Sequence, residues 1–218
     1  GNTGMILLSR GDRRLHTPMY FFLSHLSLVD ICYSSAIIPQ MLAVLWEHGT
    51  TISQARCAAQ FFLFTFFASI DCYLLAIMAY DRFTAICHPL LYHTIISQCL
   101  CALLVVTCYT VSVANSALLT GCIFKLPYCG PNVINHYFCD IPPVPNLPVQ
   151  NYEVETIIFS LCALLILFTI TIIPVSYAYI LVTICRMRSL QAQSKALSTC
   201  ASHLTIICLF YITITFMY

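Results

Sequence analysis

Long apolar stretches separated by short polar segments run through the whole chain. A membrane-spanning helix takes about 20 predominantly apolar residues, and the longer stretches reach that length. Because lipid offers the backbone no hydrogen-bond partners, each stretch should be helical. We therefore predict an all-α transmembrane helical bundle, a single domain over 1–218, with complete spans at 18–45, 57–87, 99–119 and 155–185.

Both ends of the chain are apolar as well. Residues 1–9 are expected to be the end of one further helix, and the residues from Lys195 onward the start of another, so the chain is expected to be a fragment of a larger bundle. Pro18 suits the first turn of its helix, whereas Pro39 should kink the same helix.

Composition narrows the class of protein. The chain is 60% hydrophobic and only 8% charged, whereas soluble domains carry about 25% charged residues. Such a chain belongs in a lipid bilayer. The net charge of +1 gives no indication of a nucleic-acid partner.

The distribution of Lys and Arg predicts the orientation of the bundle. One side carries most of these residues, and the opposite side carries only Arg56 and Lys125. Since cytoplasmic loops hold the excess of positive charge, the first side should be cytoplasmic and the N-terminus extracellular, as in a multi-pass plasma-membrane protein. The residues on the first side are Arg10, Arg13, Arg14, Arg82, Arg186, Arg188 and Lys195.

Two carboxylates, Asp30 and Asp71, fall inside predicted spans, where an ionisable residue is costly and indicates function. One interpretation is a protonated carboxyl that hydrogen-bonds a neighbour. The alternative is a shared cation or proton site, because two close carboxylates repel unless a positive charge lies between them. Asn2 could add an amide oxygen, and Na⁺ would be the ion; no other cofactor is expected.

Asp81 and Arg82 lie at the cytoplasmic end of the third span. Arg82 could simply extend to the membrane interface, or it could pair with Asp81 and exchange that partner for another. In the long outer segment, His136, Cys139 and Asp140 could bind a soft metal, although a structural role or a disulfide at Cys139 is the alternative.

The chain has 14 cysteines, most of them in spans, where a small buried apolar side chain is the simplest interpretation. Four others, Cys57, Cys122, Cys129 and Cys139, are predicted at or near the outer side. That side is oxidising, so disulfides can form there.

Several motifs together resemble one family, the vertebrate olfactory receptors, in its tetrapod-type (class II) branch. The second span begins LHTPMYFFLS and continues LSLVD, and the third ends MAYDRFTAICHPL, which resembles the third-helix signature of that family. Ser176 and Tyr177 match a fifth-helix pair. KALSTCASHL at 195–204, followed by Phe210 and Tyr211, resembles the sixth-helix signature.

The resemblance covers the whole chain and implies a rhodopsin-like seven-helix receptor, not an enzyme, truncated here to the end of helix one through most of helix six. It implies a disulfide between Cys57 and Cys139. It also implies that the receptor binds small volatile ligands on its outer half and activates a stimulatory olfactory-type heterotrimeric G protein. The location that it implies is the cilia of olfactory neurons. The residues that it assigns to coupling and switching are Asp81, Arg82, Tyr177, Lys195 and His203.

The chain departs from the family pattern at several positions. Phe83 and Thr84 replace Tyr-Val after Asp-Arg, Tyr109 replaces a fourth-helix Trp, and Ile212 replaces a Gly. A third outer-loop cysteine is replaced by Val149, which leaves Cys122 as an alternative disulfide partner for Cys129.

The ligand pocket is predicted from helix periodicity, since residues at i, i+3, i+4 and i+7 share a face, and from the stretch that the resembling family uses for odorants. The surface is mostly apolar with a few hydroxyls, which favours a neutral alcohol, aldehyde, ketone or ester. The candidates are Phe61, Phe64, Thr65, Ala68, Ser69 and Cys72 on the third helix, Ile158, Cys162, Leu165 and Ile166 on the fifth, and Tyr211, Ile214, Thr215 and Tyr218 on the sixth.

Other classes of membrane protein predict different sequence features. A transporter or channel would also need intramembrane carboxylates, but it predicts inverted repeats and broken helices, which the sequence does not show. A membrane enzyme predicts a metal or nucleophile constellation, and none forms convincingly. A rhodopsin-like chemoreceptor expressed outside the nose and a non-functional gene copy remain alternatives.

Overall fold

The computed structural model describes residues 1–12, 15–46, 53–124, 152–187 and 189–217. Within these ranges it describes all side chains except those at 40–41, 43–46, 152–155, 157–158 and 214–217. Every regular element within these ranges is a helix. The helices are α1 (Asn2–Gly11), α2 (Pro18–Trp46), α3 (Gln54–Cys87), α4 (Tyr92–Ile95), α5 (Gln98–Phe124), α6 (Tyr152–Arg186) and α7 (Leu190–Met217).

The predicted spans correspond to α2, α3, α5 and α6, and each observed helix extends past at least one predicted end. The predicted start of the last helix near Lys195 is wrong, because α7 begins at Leu190. The reason is a serine cap: the Ser189 hydroxyl oxygen accepts a hydrogen bond from the Ala192 backbone N–H at 3.4 Å. The short helix α4 was not predicted.

Two more serines begin spans in the same way. The Ser53 hydroxyl oxygen accepts from the Arg56 N–H at 3.4 Å at the start of α3, and the Ser97 hydroxyl oxygen accepts from the Leu100 N–H at 3.2 Å at the start of α5. At its other end α3 stops before His88 and Pro89, since proline cannot continue a helix. Pro39 lies inside α2.

Five of the described helices are long and apolar enough to cross a membrane: α2, α3, α5, α6 and α7. Their outward faces carry large exposed apolar side chains, among them Leu103 and Val106 on α5 and Leu164 and Leu167 on α6. At 1.5 Å per residue α3 is about 50 Å long. It therefore exceeds the hydrocarbon core of a bilayer, which is about 30 Å thick.

The bundle is organised around α3, which packs most extensively against α6, then α5 and α2, and also contacts α7. Its central residues Ile70, Leu74 and Ala79 are completely buried, and Ile180 of α6 is buried to the same degree. The position of α3 makes it the helix that can link opposite ends of the bundle.

The departures from the family pattern have defined environments. The ring of Tyr109 on α5 packs edge-on against Phe66, and its hydroxyl lies 3.5 Å from Nδ1 of His25 on α2. Thr84 is buried and donates a hydrogen bond to the Tyr80 carbonyl at 2.9 Å. Ile212 is exposed on α7, where a lipid-facing apolar side chain is expected.

Truncation of a central α3 residue should therefore destabilise the bundle. Leu74→Ala leaves a cavity where Leu74 is completely buried, and we expect a loss on the order of 2 kcal/mol. The measurement is the thermal unfolding midpoint of the purified receptor. Leu181→Ala is the matched control, because Leu181 is 49% exposed on α6. Equal losses for the two variants would contradict the central role of α3.

Candidate functional site

The two ends of α3 carry different groups and are called here the Cys57 end and the Arg82 end. Cys57 is buried and disulfide-bonded. Its predicted partner Cys139 lies outside the described residues, as do Cys129, His136, Asp140 and Val149, so this pairing stays a prediction. Cys122 carries a free thiol, which argues against it as the alternative partner of Cys129.

The ligand-binding candidates on α3 lie on or near its buried side in the half towards the Cys57 end. Thr65 and Ala68 are half-buried, and Phe64 packs on Tyr33 of α2 with ring centroids 5.8 Å apart. The fully buried members of the set are Phe61, Phe64, Ser69 and Cys72.

On α6 the described candidates are less buried than those on α3. Cys162 is exposed, Leu165 is half-buried and Ile166 is 50% exposed. Helix periodicity puts Cys162 on the face that carries the buried Thr169 and Ile180. Within the described residues, that face is therefore buried at Thr169 and Ile180, towards the Arg82 end, and exposed at Cys162. The side chains of Ile158, Ile214 and Thr215, and the whole of Tyr218, lie outside the described residues.

A polar contact between α6 and α7, beside α3, lies about two helical turns from Cys162 towards the Arg82 end. Tyr211 of α7 interacts with the Thr169 hydroxyl of α6 and lies near Cys72 of α3. Thr169 was not predicted as a site residue. The available signal was a hydroxyl two turns from Cys162 on the same face of α6, but only the packing of α7 shows what it contacts.

The structure also has a groove of about 620 Å³ on the side of α3 that faces α5, near the Cys57 end. It is open and apolar, and none of the predicted ligand residues lines it. Its lining is Ala58, Ala59, Phe62, Leu63, Ala117, Thr120, Gly121 and Phe124.

The three predicted ion-site residues come together between α1, α2 and α3. The Asn2 side-chain amide donates to an Asp30 carboxylate oxygen at 3.3 Å. Asp71 is buried and close enough to Asp30 for their charges to interact. Oδ1 of Asp71 has no hydrogen-bond partner in the described part of the chain. A cation or a proton there would reduce the repulsion between the two carboxylates and give Oδ1 of Asp71 a partner.

At the Arg82 end, Asp81 is buried and holds Arg82 in an ion pair of 2.8 Å. The other oxygen of the same carboxylate accepts a 2.7 Å hydrogen bond from the Tyr92 hydroxyl of α4. Burial, followed by this hydrogen bond to Asp81, raises the pKa of Tyr92, so the hydroxyl stays a donor at neutral pH. Tyr92 was missed from the sequence because its partner lies on another helix.

Beside this ion pair, Tyr177 of α6 is hydrogen-bonded to Nδ1 of His203 of α7. Arg82 lies near both residues, yet its direct partner in this structure is Asp81. Lys195 is exposed at the start of α7. The predicted switch residues therefore surround the contact between α3, α6 and α7, with Lys195 at its edge.

Comparison with a solved structure defines the fold. The crystal structure of squid rhodopsin superimposes with a TM-score of 0.69 at 17% identity, over 98% of this chain and 59% of the rhodopsin chain. The bundle therefore has the fold of the rhodopsin-like seven-helix receptors. The chain spans about three fifths of that rhodopsin's length.

Sequence comparison identifies the family within this class. The olfactory receptor family profile matches residues 1–218. Human olfactory receptor 9Q2 is 62% identical over all of this chain and 70% of its own length, and mouse olfactory receptor 5AR1 is 50% identical over all of this chain and 71% of its own length. The chain belongs to the olfactory receptor family. It is a receptor and not an enzyme, as the sequence predicted.

Loss of the Tyr92 hydroxyl should loosen the ion pair at the Arg82 end. Tyr92→Phe removes one hydrogen bond from Asp81, worth about 1 kcal/mol. We expect ligand-independent cAMP production to rise about fivefold at equal surface expression. Tyr80→Phe is the control, because Tyr80 is exposed on the last turns of α3. Unchanged basal signalling in Tyr92→Phe would show that Tyr92 does not restrain Arg82.

Proposed function

We propose that this receptor binds small neutral volatile molecules in the half of the bundle near the Cys57 end and activates a stimulatory olfactory-type heterotrimeric G protein at the Arg82 end. The observation that carries this proposal is that one central helix, α3, supplies both the buried ligand candidates and Arg82. Family membership supplies the signalling class.

The orientation follows from the disulfide and from the basic residues. Disulfides persist on the oxidising side of a membrane, which supports an outward-facing Cys57 end. The positive-inside rule supports a cytoplasmic Arg82 end and an extracellular N-terminus. A plasma-membrane location in the cilia of olfactory neurons fits a receptor with this orientation.

The ligand class follows from the surroundings of the candidate residues. Phe61, Phe64 and Leu165 offer apolar surface, and Thr65 and Ser69 offer hydroxyls, while none of the candidates carries a fixed charge. A small apolar body oriented by one or two hydrogen bonds suits such a site. An amine would require a carboxylate among them.

Activation is a shift between two arrangements of the bundle. The contact between Tyr211, Thr169 and Cys72 lies between the ligand candidates and the Arg82 end, so a ligand that moves α7 against α3 and α6 changes it directly. Outward movement of α7 would separate His203 from Tyr177 and open the space beside Arg82 to the G protein.

Variants of Thr65, Ser69 and Tyr211 test the ligand site. We expect Thr65→Val, Ser69→Ala and Tyr211→Phe to change the rank order of potency in a panel of volatile alcohols, aldehydes, ketones and esters, because each removes a hydroxyl from the site. The readout is cAMP in cells that express the full-length receptor, normalised to surface expression. Arg82→Ala is the control, expected to reach the surface without signalling. If all three variants rank the panel as the unmodified receptor does, the pocket lies elsewhere.

We also propose that Asp30, Asp71 and Asn2 hold Na⁺ in the inactive state. The mutual repulsion of the two carboxylates and the unpartnered Oδ1 of Asp71 support this site. Carboxylate and amide oxygens are ligands that hard cations prefer.

A sodium site predicts a cation-specific gain in stability. The unfolding midpoint of the purified receptor should rise when NaCl replaces choline chloride at constant ionic strength, since an ion that binds only the folded state stabilises it. Asp71→Asn should abolish this rise. An equal rise in the variant, or none in the unmodified receptor, would mean that the carboxylates are balanced by protons instead.

A further inference from the structure

Gln60 is an amide buried in α3 without a partner. Its side chain is 4% exposed, and neither Oε1 nor Nε2 has a hydrogen-bond partner in the part of the chain that the structure describes. Burying an amide without hydrogen bonds costs free energy, and the cost is not recovered from lipid. A costly polar group in a membrane helix is a candidate functional residue.

The position of Gln60 is next to the ligand candidates. It directly precedes Phe61 and lies one helical turn before Phe64, so it shares the α3 face on which Phe64 packs against Tyr33. It is also one turn inside the disulfide-bonded Cys57. Along the helix axis Gln60 lies nearer the Cys57 end than Thr65 and Ser69, which lie about 140° and about 180° further around α3.

The hydroxyl protons of the α3 candidates are already used within the helix. Thr65 donates to the Phe61 carbonyl at 2.9 Å, and Ser69 donates to the Thr65 carbonyl at 2.7 Å. Each hydroxyl oxygen keeps lone pairs that can accept a hydrogen bond, but its proton is engaged.

The same holds across the bundle. The Thr169 hydroxyl of α6 donates to the Ile166 carbonyl at 3.0 Å, so its proton is engaged within its own helix as well. The cysteine thiols among the candidates are weak donors. On the stretch of α3 from Cys57 to Ser69, the amide of Gln60 is thus the side-chain donor that has no acceptor among the described residues.

We propose that Gln60 is a specificity-determining residue of the ligand site, and that its Nε2 donates a hydrogen bond to the carbonyl oxygen of an aldehyde, ketone or ester. The inference rests on the proposed odorant function. A carbonyl accepts but does not donate hydrogen bonds, so it pairs with Gln60 and gains little from Thr65 or Ser69. An alcohol can instead donate its proton to the oxygen of Thr65.

The test is a double comparison of variants and ligands in the full-length receptor. Straight-chain aldehydes and primary alcohols of equal chain length are the probes, and the readout is the concentration of half-maximal cAMP response at matched surface expression. Gln60→Met keeps the side-chain length and removes both polar atoms. We expect it to weaken aldehyde responses about tenfold and to leave alcohol responses nearly unchanged. Thr65→Val should show the reverse preference.

Thr171→Val is the matched control, because Thr171 is exposed on α6 and also bonds its own helix, donating to the Leu167 carbonyl at 2.6 Å. It should change neither series. A uniform loss in both series for Gln60→Met, or a fall in its surface expression, would assign Gln60 a structural partner and overturn the proposal. A receptor that responds to alcohols but to no carbonyl compound overturns it as well. If the unmodified receptor responds to no compound of the panel and cannot be distinguished from Arg82→Ala, the odorant function itself is refuted.

Discussion

Polar groups in the interior of a bilayer must find their partners inside the protein, and this constraint shapes α3 more than any other helix. Thr65, Ser69 and Thr84 each donate their hydroxyl proton to a carbonyl one turn earlier. These bonds let α3 carry polar side chains while it packs against α2, α5, α6 and α7. The middle of a helix with this many neighbours is buried, as Ile70, Leu74 and Ala79 are.

Against this background, the few unpartnered polar atoms are informative. Within the described residues they include the amide of Gln60, Oδ1 of Asp71 and Nε2 of His203. Two others, the hydroxyls of Ser112 and Ser116, lie on α5. The three named first lie at three depths: near the Cys57 end, in the middle of the bundle and beside Arg82. Each is costly in this state, and each lies where a different event supplies a partner. These events are ligand entry, ion binding and rearrangement at the Arg82 end.

Hydropathy predicted the class of fold because lipid imposes one solution on a long apolar segment, so the spans corresponding to α2, α3, α5 and α6 could be located from the chain alone. Helix ends depend on single side chains, which is why the cap at Ser189 moved the start of α7 away from Lys195. The contacts of Asp81 with Tyr92 and of Tyr177 with His203 join residues on different helices, and no local pattern specifies which residues meet. Gln60 stands alone in an apolar run, but only its burial without a partner distinguishes it from an interfacial amide.

The strength of the contacts at the Arg82 end is limited by what a small ligand can supply. The resting state is held there by the Asp81–Arg82 ion pair, the hydrogen bond from Tyr92 and the pair of Tyr177 with His203. Hydrogen bonds contribute about 1 kcal/mol each, and somewhat more when one partner is charged. A complete reversal of a two-state population needs about 5.5 kcal/mol of differential binding. A volatile molecule of about ten heavy atoms binds with at most about 1.5 kcal/mol per heavy atom, and usually with much less. Only the difference between its binding free energies for the two states drives the shift. A few modest contacts are therefore as much as such a ligand can overcome, and a much stronger lock around Arg82 would leave the receptor unresponsive.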